Sequence, residues 1–155
     1  MSLSHSVNHL LQFILPTILP TLVKEFQMSY YTAGILLACF GLPYSVMQAP
    51  FGYISDRKGR KLPMIAGLIL YSLATLSSAF SQNVFQLGFA QVLAGVGGAS
   101  YHPTGIPLLS FSVEGRKRGQ ALGFHQAGGA IGSFLGPLLS VYIGIMLNWR
   151  YSFII

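Results

Sequence analysis

Long apolar segments alternate with short polar ones along the chain. The charged residues are grouped at 24–25, 56–61, 114–118 and 150, and the segments between these groups carry no charge. A helix rises about 1.5 Å per residue, so about 20 apolar residues cross a bilayer. The longest uncharged segment is divided by the polar turn at 81–83. The pattern predicts spans near 4–23, 31–55, 62–80, 84–112 and 119–145, and the start of a sixth span at 149–155.

The composition agrees with a membrane environment. Charged residues make up 8% of the chain, apolar residues 52%, and the mean hydropathy is +0.59, whereas soluble domains carry about 25% charged residues. We therefore predict an all-α membrane protein. The first segment has no basic n-region and further spans follow it, which disfavours a cleaved signal peptide. The single cysteine, Cys39, has no intrachain disulfide partner and is interpreted as a packing residue in the second span.

The basic residues predict the orientation of the chain. Of nine, all but Lys24 and Arg150 lie in the loops at 56–61 and 114–118. If successive loops alternate sides, these two loops share a side with the N-terminus. Loops rich in Lys and Arg stay in the cytoplasm, so we expect a cytoplasmic N-terminus and a multi-pass protein of the plasma (inner) membrane. Two short basic loops between spans do not form a nucleic-acid surface, so no nucleic-acid partner is expected.

Polar and small residues inside the spans recur on single helix faces. A polar group that faces lipid loses hydrogen bonds, so these faces should point into the bundle. For any single residue an interhelical hydrogen bond is the simpler interpretation, and the three polar stripes together favour a water-filled cavity. The polar stripes are His5, Asn8, His9 and Gln12; Ser45, Gln48 and Gly52; and Gln91, Gly95, Gly98 and His102. In the fifth span, Gly128, Gly132 and Gly136 recur every four residues, which favours close approach of another helix.

The loop between the second and third spans has a specific spacing. It reads Gly52-Tyr53-Ile54-Ser55-Asp56-Arg57-Lys58-Gly59-Arg60-Lys61. Gly59 gives the turn conformational freedom, and Asp56 can pair with a base or face a helix N-terminus. The simpler interpretation is an ordinary positive-inside loop. However, the segment resembles the signature loop of the major facilitator superfamily, G-x-x-x-D-R/K-x-G-R-R/K, at every specified position and between the same two spans.

Further segments are similar to motifs of drug exporters in that superfamily. In the fifth span, the matching residues are Gly123, Gly132, Gly136 and Pro137, although Ser140 and Val141 replace the motif's last glycine pair. In the fourth span, Gln91 stands where a family motif carries an arginine linked to proton transfer, so that role is not carried over. Tyr101-His102-Pro103 and His125-Gln126-Ala127-Gly128-Gly129 look like the fosmidomycin-resistance branch.

The resemblance implies a fold of twelve spans in two six-helix halves, with the substrate site between them. Residues 1–155 then form an incomplete N-terminal six-helix bundle, whose partner is the missing C-terminal half. The implied activity is alternating-access transport, interpreted as proton-coupled export of a drug or metabolite, with a small molecule, protons and lipid as partners. The cavity candidates are Asn8, His9, Gln12, Gln48, His102, His125 and Gln126. The candidates for loop gating are Gly52, Asp56, Arg57, Gly59, Arg60 and Lys61, and those for helix packing are Gly128, Gly132, Gly136 and Pro137.

The chemistry of the spans is otherwise sparse. No carboxylate lies deep within a span, so a proton carrier would be a histidine in this segment or a group in the missing half. No metal-ligand cluster and no nucleophile–base pair is apparent in the sequence, so no enzyme activity, metal or cofactor is expected. Two alternatives stay open, a non-transporting structural or regulatory membrane protein and a non-functional transporter fragment.

Overall fold

The computed structural model describes residues 1–154, and this part of the chain contains helices and no β-strand. The α-helices are α1 Ser2–Glu25, α2 Tyr30–Val46, α3 Gln48–Lys58, α4 Lys61–Ser78, α5 Val84–Gly98, α6 Tyr101–Phe111 and α7 Arg118–Met146. Short 3-10 helices cover Gly115–Lys117 and Trp149–Phe153. The prediction of an all-α membrane protein is confirmed.

Four stretches of helix within residues 1–154 are long and apolar enough to cross a membrane. They coincide with the first, second, third and fifth predicted spans, and they are Ser2–Glu25, Tyr30–Lys58, Lys61–Ser78 and Gly115–Met146. The second stretch joins α2 and α3 at Met47. Pro50, which has no backbone N–H, lies three residues after this junction and removes a helical hydrogen bond there.

The predicted span at 84–112 forms as two helical segments rather than one. Its parts, α5 and α6, have 15 and 11 residues. Pro103 cannot donate a backbone hydrogen bond to Ala99, and the helix is interrupted at that point. Ala99 and Ser100 keep right-handed helical φ and ψ values, so α6 continues in the direction of α5.

The residues predicted to begin a sixth span form the 3-10 helix Trp149–Phe153 instead, and residue 155 lies outside the described residues. The Asn148 side-chain oxygen accepts the backbone N–H of Arg150 at 3.0 Å, which starts the turn. Trp149 and Phe153 are buried in the main apolar core together with Ile14 and Ile18 of α1. This segment therefore packs against the bundle at its first turn.

The packing of helix pairs fixes their relative directions. Ser2, Ser6 and Leu10 of α1 contact α7 in increasing order along α7, so these helices run parallel. By contrast, Gln91 of α5 bonds to Ser78 near the end of α4, while Gly97 contacts the earlier residue Tyr71, so α4 and α5 run antiparallel. Parallel first and fifth spans and antiparallel third and fourth spans are what successive crossings of one bilayer require.

The outward faces of the spans are apolar. Large hydrophobic side chains are more than a third exposed along every span, among them Ile35, Leu73, Phe85, Phe89, Phe134 and Ile145. The side chain of Phe85, for example, is 90% exposed. A soluble protein rarely exposes a contiguous apolar surface of this extent, whereas lipid tails solvate it. The protein is therefore a multi-pass membrane protein.

The alternating crossings give a topology prediction. In a Cys39→Ala background, Gln82→Cys and Gly115→Cys should react with an impermeant thiol reagent from opposite sides of the membrane. Both positions are exposed, and they lie at opposite ends of the span formed by α5 and α6. The basic loops lead us to expect Gly115→Cys to react only from the cytoplasmic side. Labelling of both variants in intact cells would contradict the orientation.

Candidate functional site

The four histidines of the chain lie together at the N-terminal half of α1. His5 and His9 come from α1, His102 from α6 and His125 from α7. The centre of the His5 ring lies 4.1 Å from that of His125, 4.7 Å from that of His9 and 5.3 Å from that of His102. His5 and His125 are buried, and the other two are half-buried. We call these four residues the histidine cluster.

One hydrogen bond fixes the orientation of the central ring. Nδ1 of His5 lies 2.8 Å from the backbone carbonyl oxygen of His125. A carbonyl only accepts, so Nδ1 carries the proton and donates it. In the neutral ring Nε2 of His5 is then an acceptor, and Nε2 of His9 lies 3.1 Å away and donates to it. Both ring nitrogens of His125 are buried without a hydrogen-bond partner within residues 1–154.

His5 of α1 reaches α7 because glycines remove the side chains between the two backbones. A Cβ atom on Gly128 would lie 2.6 Å from the carbonyl oxygen of Ser2, and one on Gly136 would lie 2.8 Å from that of Leu10. Gly132 faces Ser6 in the same way, at still closer range. At Gly129, a Cβ would meet the His5 ring at 2.5 Å.

A hydrogen bond reinforces this close approach. The Ser6 hydroxyl donates to the carbonyl oxygen of Gly128 at 2.6 Å, and so joins α1 to α7. Pro137, the fourth residue of the predicted packing set, lies inside α7 directly after Gly136. Small residues, close backbones and an interhelical hydrogen bond are the usual means by which helices associate in lipid.

The structure brings together three histidines that the sequence analysis did not group as possible metal ligands. One ring nitrogen from each of His5, His9 and His102 lies within 4.8 Å of the others. Sequence spacing could not reveal this grouping, because four helices, α2 to α5, lie between α1 and α6 along the chain. His5 was part of the first polar stripe but not a cavity candidate. Tyr101, whose ring stacks on His5 at 5.5 Å between centres, was also missed as a neighbour of the site.

The remaining cavity candidates do not join the histidine cluster as one surface. Asn8 is fully buried, and neither polar atom of its side chain has a partner within residues 1–154. Gln12 and Gln48 are half-buried, and Oε1 of Gln12 also lacks a partner in that range. Gln126 is exposed. Neighbouring residues on a helix point in different directions, so Gln126 cannot share the inward direction of His125.

The polar stripe of the fourth span has two different environments. The Gln91 amide donates to the Ser78 hydroxyl of α4 at 3.0 Å. Gln91 therefore makes an interhelical hydrogen bond, one of the two alternatives stated for the polar stripes. Gly95 and Gly98 pack against α2 and α4. Only His102, beyond the interruption of the helix, faces the other histidines. The Ser45 hydroxyl of the second stripe bonds within its own helix, to the carbonyl of Gly41.

The signature loop is a tight turn at the end of α3. Gly59 has φ 88° and ψ 153°, a conformation that strains any residue with a side chain, and α4 begins at Lys61. Asp56 accepts a hydrogen bond from Arg60 at 3.0 Å. Because Asp56 is largely exposed, this pair stabilises the turn by only about 0–1 kcal/mol.

The loop also contacts α6. The Arg60 guanidinium lies 4.6 Å from the centre of the Phe111 ring, at the C-terminal end of α6. A Cβ on Gly52 would lie 3.7 Å from that of Pro103, the residue after His102. Arg57 lies over the Tyr53 ring at 4.3 Å, and Lys61 is exposed. The signature loop therefore contacts α6, the helix that carries His102 of the histidine cluster.

A sequence profile of the Major Facilitator Superfamily matches residues 1–155. The probable L-galactonate transporter of Escherichia coli (strain K12) is 30% identical over 131 residues, which are 84% of this chain and 29% of that protein. The multidrug resistance protein MdtG of Proteus mirabilis (strain HI4320) is 34% identical over 113 residues, 72% of this chain and 28% of that protein. The chain thus spans less than a third of the length of these relatives.

The fold is similar to that of a solved transporter structure. A crystal structure of a bacterial homolog to the human lysosomal transporter Spinster, in an inward-facing and occupied conformation, matches 99% of this chain and 39% of that chain. The TM-score is 0.86 at 18% sequence identity. The expected partial fold of this family is confirmed.

The glycine contacts generate a stability prediction. Gly132→Ala should destabilise the protein by about 1–3 kcal/mol, because its methyl group would collide with the backbone of Ser6. Gly123→Ala is the matched control, since a Cβ there meets nothing within 4 Å and alanine favours the helix over glycine. Thermal unfolding in detergent should show a lower midpoint for the first variant and an equal or higher one for the second. Equal midpoints for Gly132→Ala and the unmodified protein would contradict the close approach.

Proposed function

This chain belongs to the major facilitator superfamily, and we propose that it forms part of the N-terminal half of a transporter that moves a small molecule by alternating access. The observation that carries the proposal is the family match over residues 1–155, together with a signature loop that forms a tight turn where the family pattern requires one. The relatives named above are transporters. In such proteins one bundle moves against the other around a shared site.

The signature loop acts in this proposal as a reversible contact at the cytoplasmic ends of the helices. Asp56 and Arg60 are held by an exposed ion pair, which costs little to break in each cycle because solvent screens it. Arg60 also contacts α6 through Phe111. Movement of the loop is thereby transmitted to the span that carries His102.

We propose proton-coupled export of a drug or metabolite as the specific activity. All three carboxylates, Glu25, Asp56 and Glu114, are exposed at the ends of helices. The histidines are the side chains within the spans that can accept and release a proton as bases, and His9 and His102 are the half-buried ones. MdtG, named a multidrug resistance protein, supports a drug as substrate.

A sugar acid is the second candidate substrate. The relative from Escherichia coli is named a probable L-galactonate transporter, and it matches a larger share of this chain than MdtG does. Sugar acids and cationic drugs differ in charge, so a substrate panel separates the two. Flux of radiolabelled galactonate and of a cationic dye should be followed in proteoliposomes that contain the full-length protein, with and without a pH gradient.

Asp56→Asn tests the transport mechanism. We expect it to lower the rate of gradient-driven flux by up to about fivefold, the effect of losing a contact of about 1 kcal/mol, because the neutral amide cannot hold Arg60 as an ion pair. Membrane insertion and yield should be unchanged, since the loop remains positively charged. The matched control is Glu114→Gln, an exposed acid that makes no ion pair within residues 1–154. Normal flux in the Asp56→Asn variant would contradict a gating role for Asp56. Absence of flux of every substrate tested, in the unmodified full-length protein, would contradict the proposed transport function.

A further inference from the structure

We propose that His5, His9 and His102 bind one divalent transition-metal ion between α1 and α6, with one coordination position open. The ligand nitrogens of these three residues lie within 4.8 Å of one another. They come from two helices that the packing of the bundle holds in place, so the site is largely formed before an ion arrives. The proposal does not depend on the transport activity.

The distances agree with coordination by imidazole. Zinc–nitrogen bonds are about 2.0–2.1 Å long, so two ligands of a tetrahedral ion lie about 3.3 Å apart. Nε2 of His5 and Nε2 of His9 are already 3.1 Å apart. The His102 ring centre lies 5.3 Å from that of His5 and 5.5 Å from that of His9. A side-chain rotation of His102, which is half-buried, brings the third nitrogen into range.

The surroundings of His5 are those of a metal ligand. A metal-binding histidine usually donates its second ring N–H to a carboxylate or a backbone carbonyl, which fixes the tautomer and directs the free lone pair to the ion. His5 donates Nδ1–H to the carbonyl oxygen of His125. Its Nε2 lone pair is therefore directed toward His9, where the proposed ion would replace the shared proton.

His125 positions the site but is not a ligand. Its ring is stacked on that of His5 with 4.1 Å between centres and 9° between planes. Nitrogen lone pairs lie in the plane of the ring, so two parallel stacked rings cannot both direct a lone pair at one ion about 2 Å away. The contribution of His125 to the site is its backbone carbonyl, which any residue at this position would supply.

The ligand set selects the class of ion. Imidazole suits Zn²⁺, Cu²⁺, Ni²⁺ and Co²⁺, whereas Mg²⁺ and Ca²⁺ require oxygen ligands. Three neutral rings leave the charge of the ion uncompensated, and a partly buried charge is costly. We therefore expect water, hydroxide or a small anion at the open position, as in zinc sites with three histidines and one exchangeable ligand.

The test uses cobalt as a spectroscopic probe. The full-length protein, purified with an affinity tag that contains no histidine and stripped of metal, is titrated with Co²⁺. We expect one ion per chain with visible ligand-field absorption, a higher thermal unfolding midpoint in its presence, displacement by Zn²⁺, and no displacement by Mg²⁺. His9→Gln and His102→Gln should weaken binding at least tenfold. The matched control is His125→Leu, which removes both ring nitrogens, keeps the carbonyl that orients His5, and should retain the absorption.

A second measurement needs no variant. In the unmodified protein, Zn²⁺ should slow the reaction of His9 and His102 with diethyl pyrocarbonate, followed by mass spectrometry, while the exposed Lys24 reacts at its usual rate. Absence of protection, or binding of Co²⁺ by both glutamine variants with the affinity of the unmodified protein, would overturn the proposal. Loss of binding in His125→Leu with the variant still folded would overturn the assignment of that residue.

Discussion

The arrangement of the functional groups depends on the close approach of α1 to α7. Lipid tails are as apolar as the helix surfaces, so association in a membrane relies on packing and interhelical hydrogen bonds rather than on the hydrophobic effect. The glycine face of α7 lets the α1 backbone approach along Ser2, Ser6 and Leu10, and the Ser6 hydroxyl adds a hydrogen bond at that contact. Because α1 lies so close to α7, His5 is buried between the helices, and the missing side chain of Gly129 leaves room for its ring.

The same geometry relates the histidine cluster to the signature loop. Gly52 of α3 lies against Pro103, directly after His102, and Arg60 lies on the Phe111 ring at the other end of α6. The helix that carries His102 therefore contacts the loop at two points. The helix is interrupted at Ala99 and Ser100, between α5 and the short α6. The α5 helix packs against both α2 and α4. In the proposed transport cycle, this short helix, which contacts both regions, is the element through which loop movement would reach the histidines.

The sequence predicted the elements well and the site only in part. Charge-free segments located the spans because each needs about 20 residues to cross lipid, and the four-residue spacing of Gly128, Gly132 and Gly136 identified a face that lies against α1. The interruption at Ala99 and the 3-10 turn at Trp149 were not predicted, since both depend on local backbone hydrogen bonds. The histidine cluster was missed as a unit because its members lie on three helices, and helix periodicity relates only residues of one helix.

The proximity of α1 to α6 is the claim that a single cross-linking measurement tests most directly. In a Cys39→Ala background, His5→Cys and His102→Cys should be joined by a short bifunctional methanethiosulfonate, because the native ring centres are 5.3 Å apart. After cleavage at a protease site inserted between Gln82 and Asn83, the two fragments should remain linked. The pair His5→Cys and Phe85→Cys, at opposite ends of the bundle, should separate. Separation of the first pair with both thiols modified would contradict the structural account.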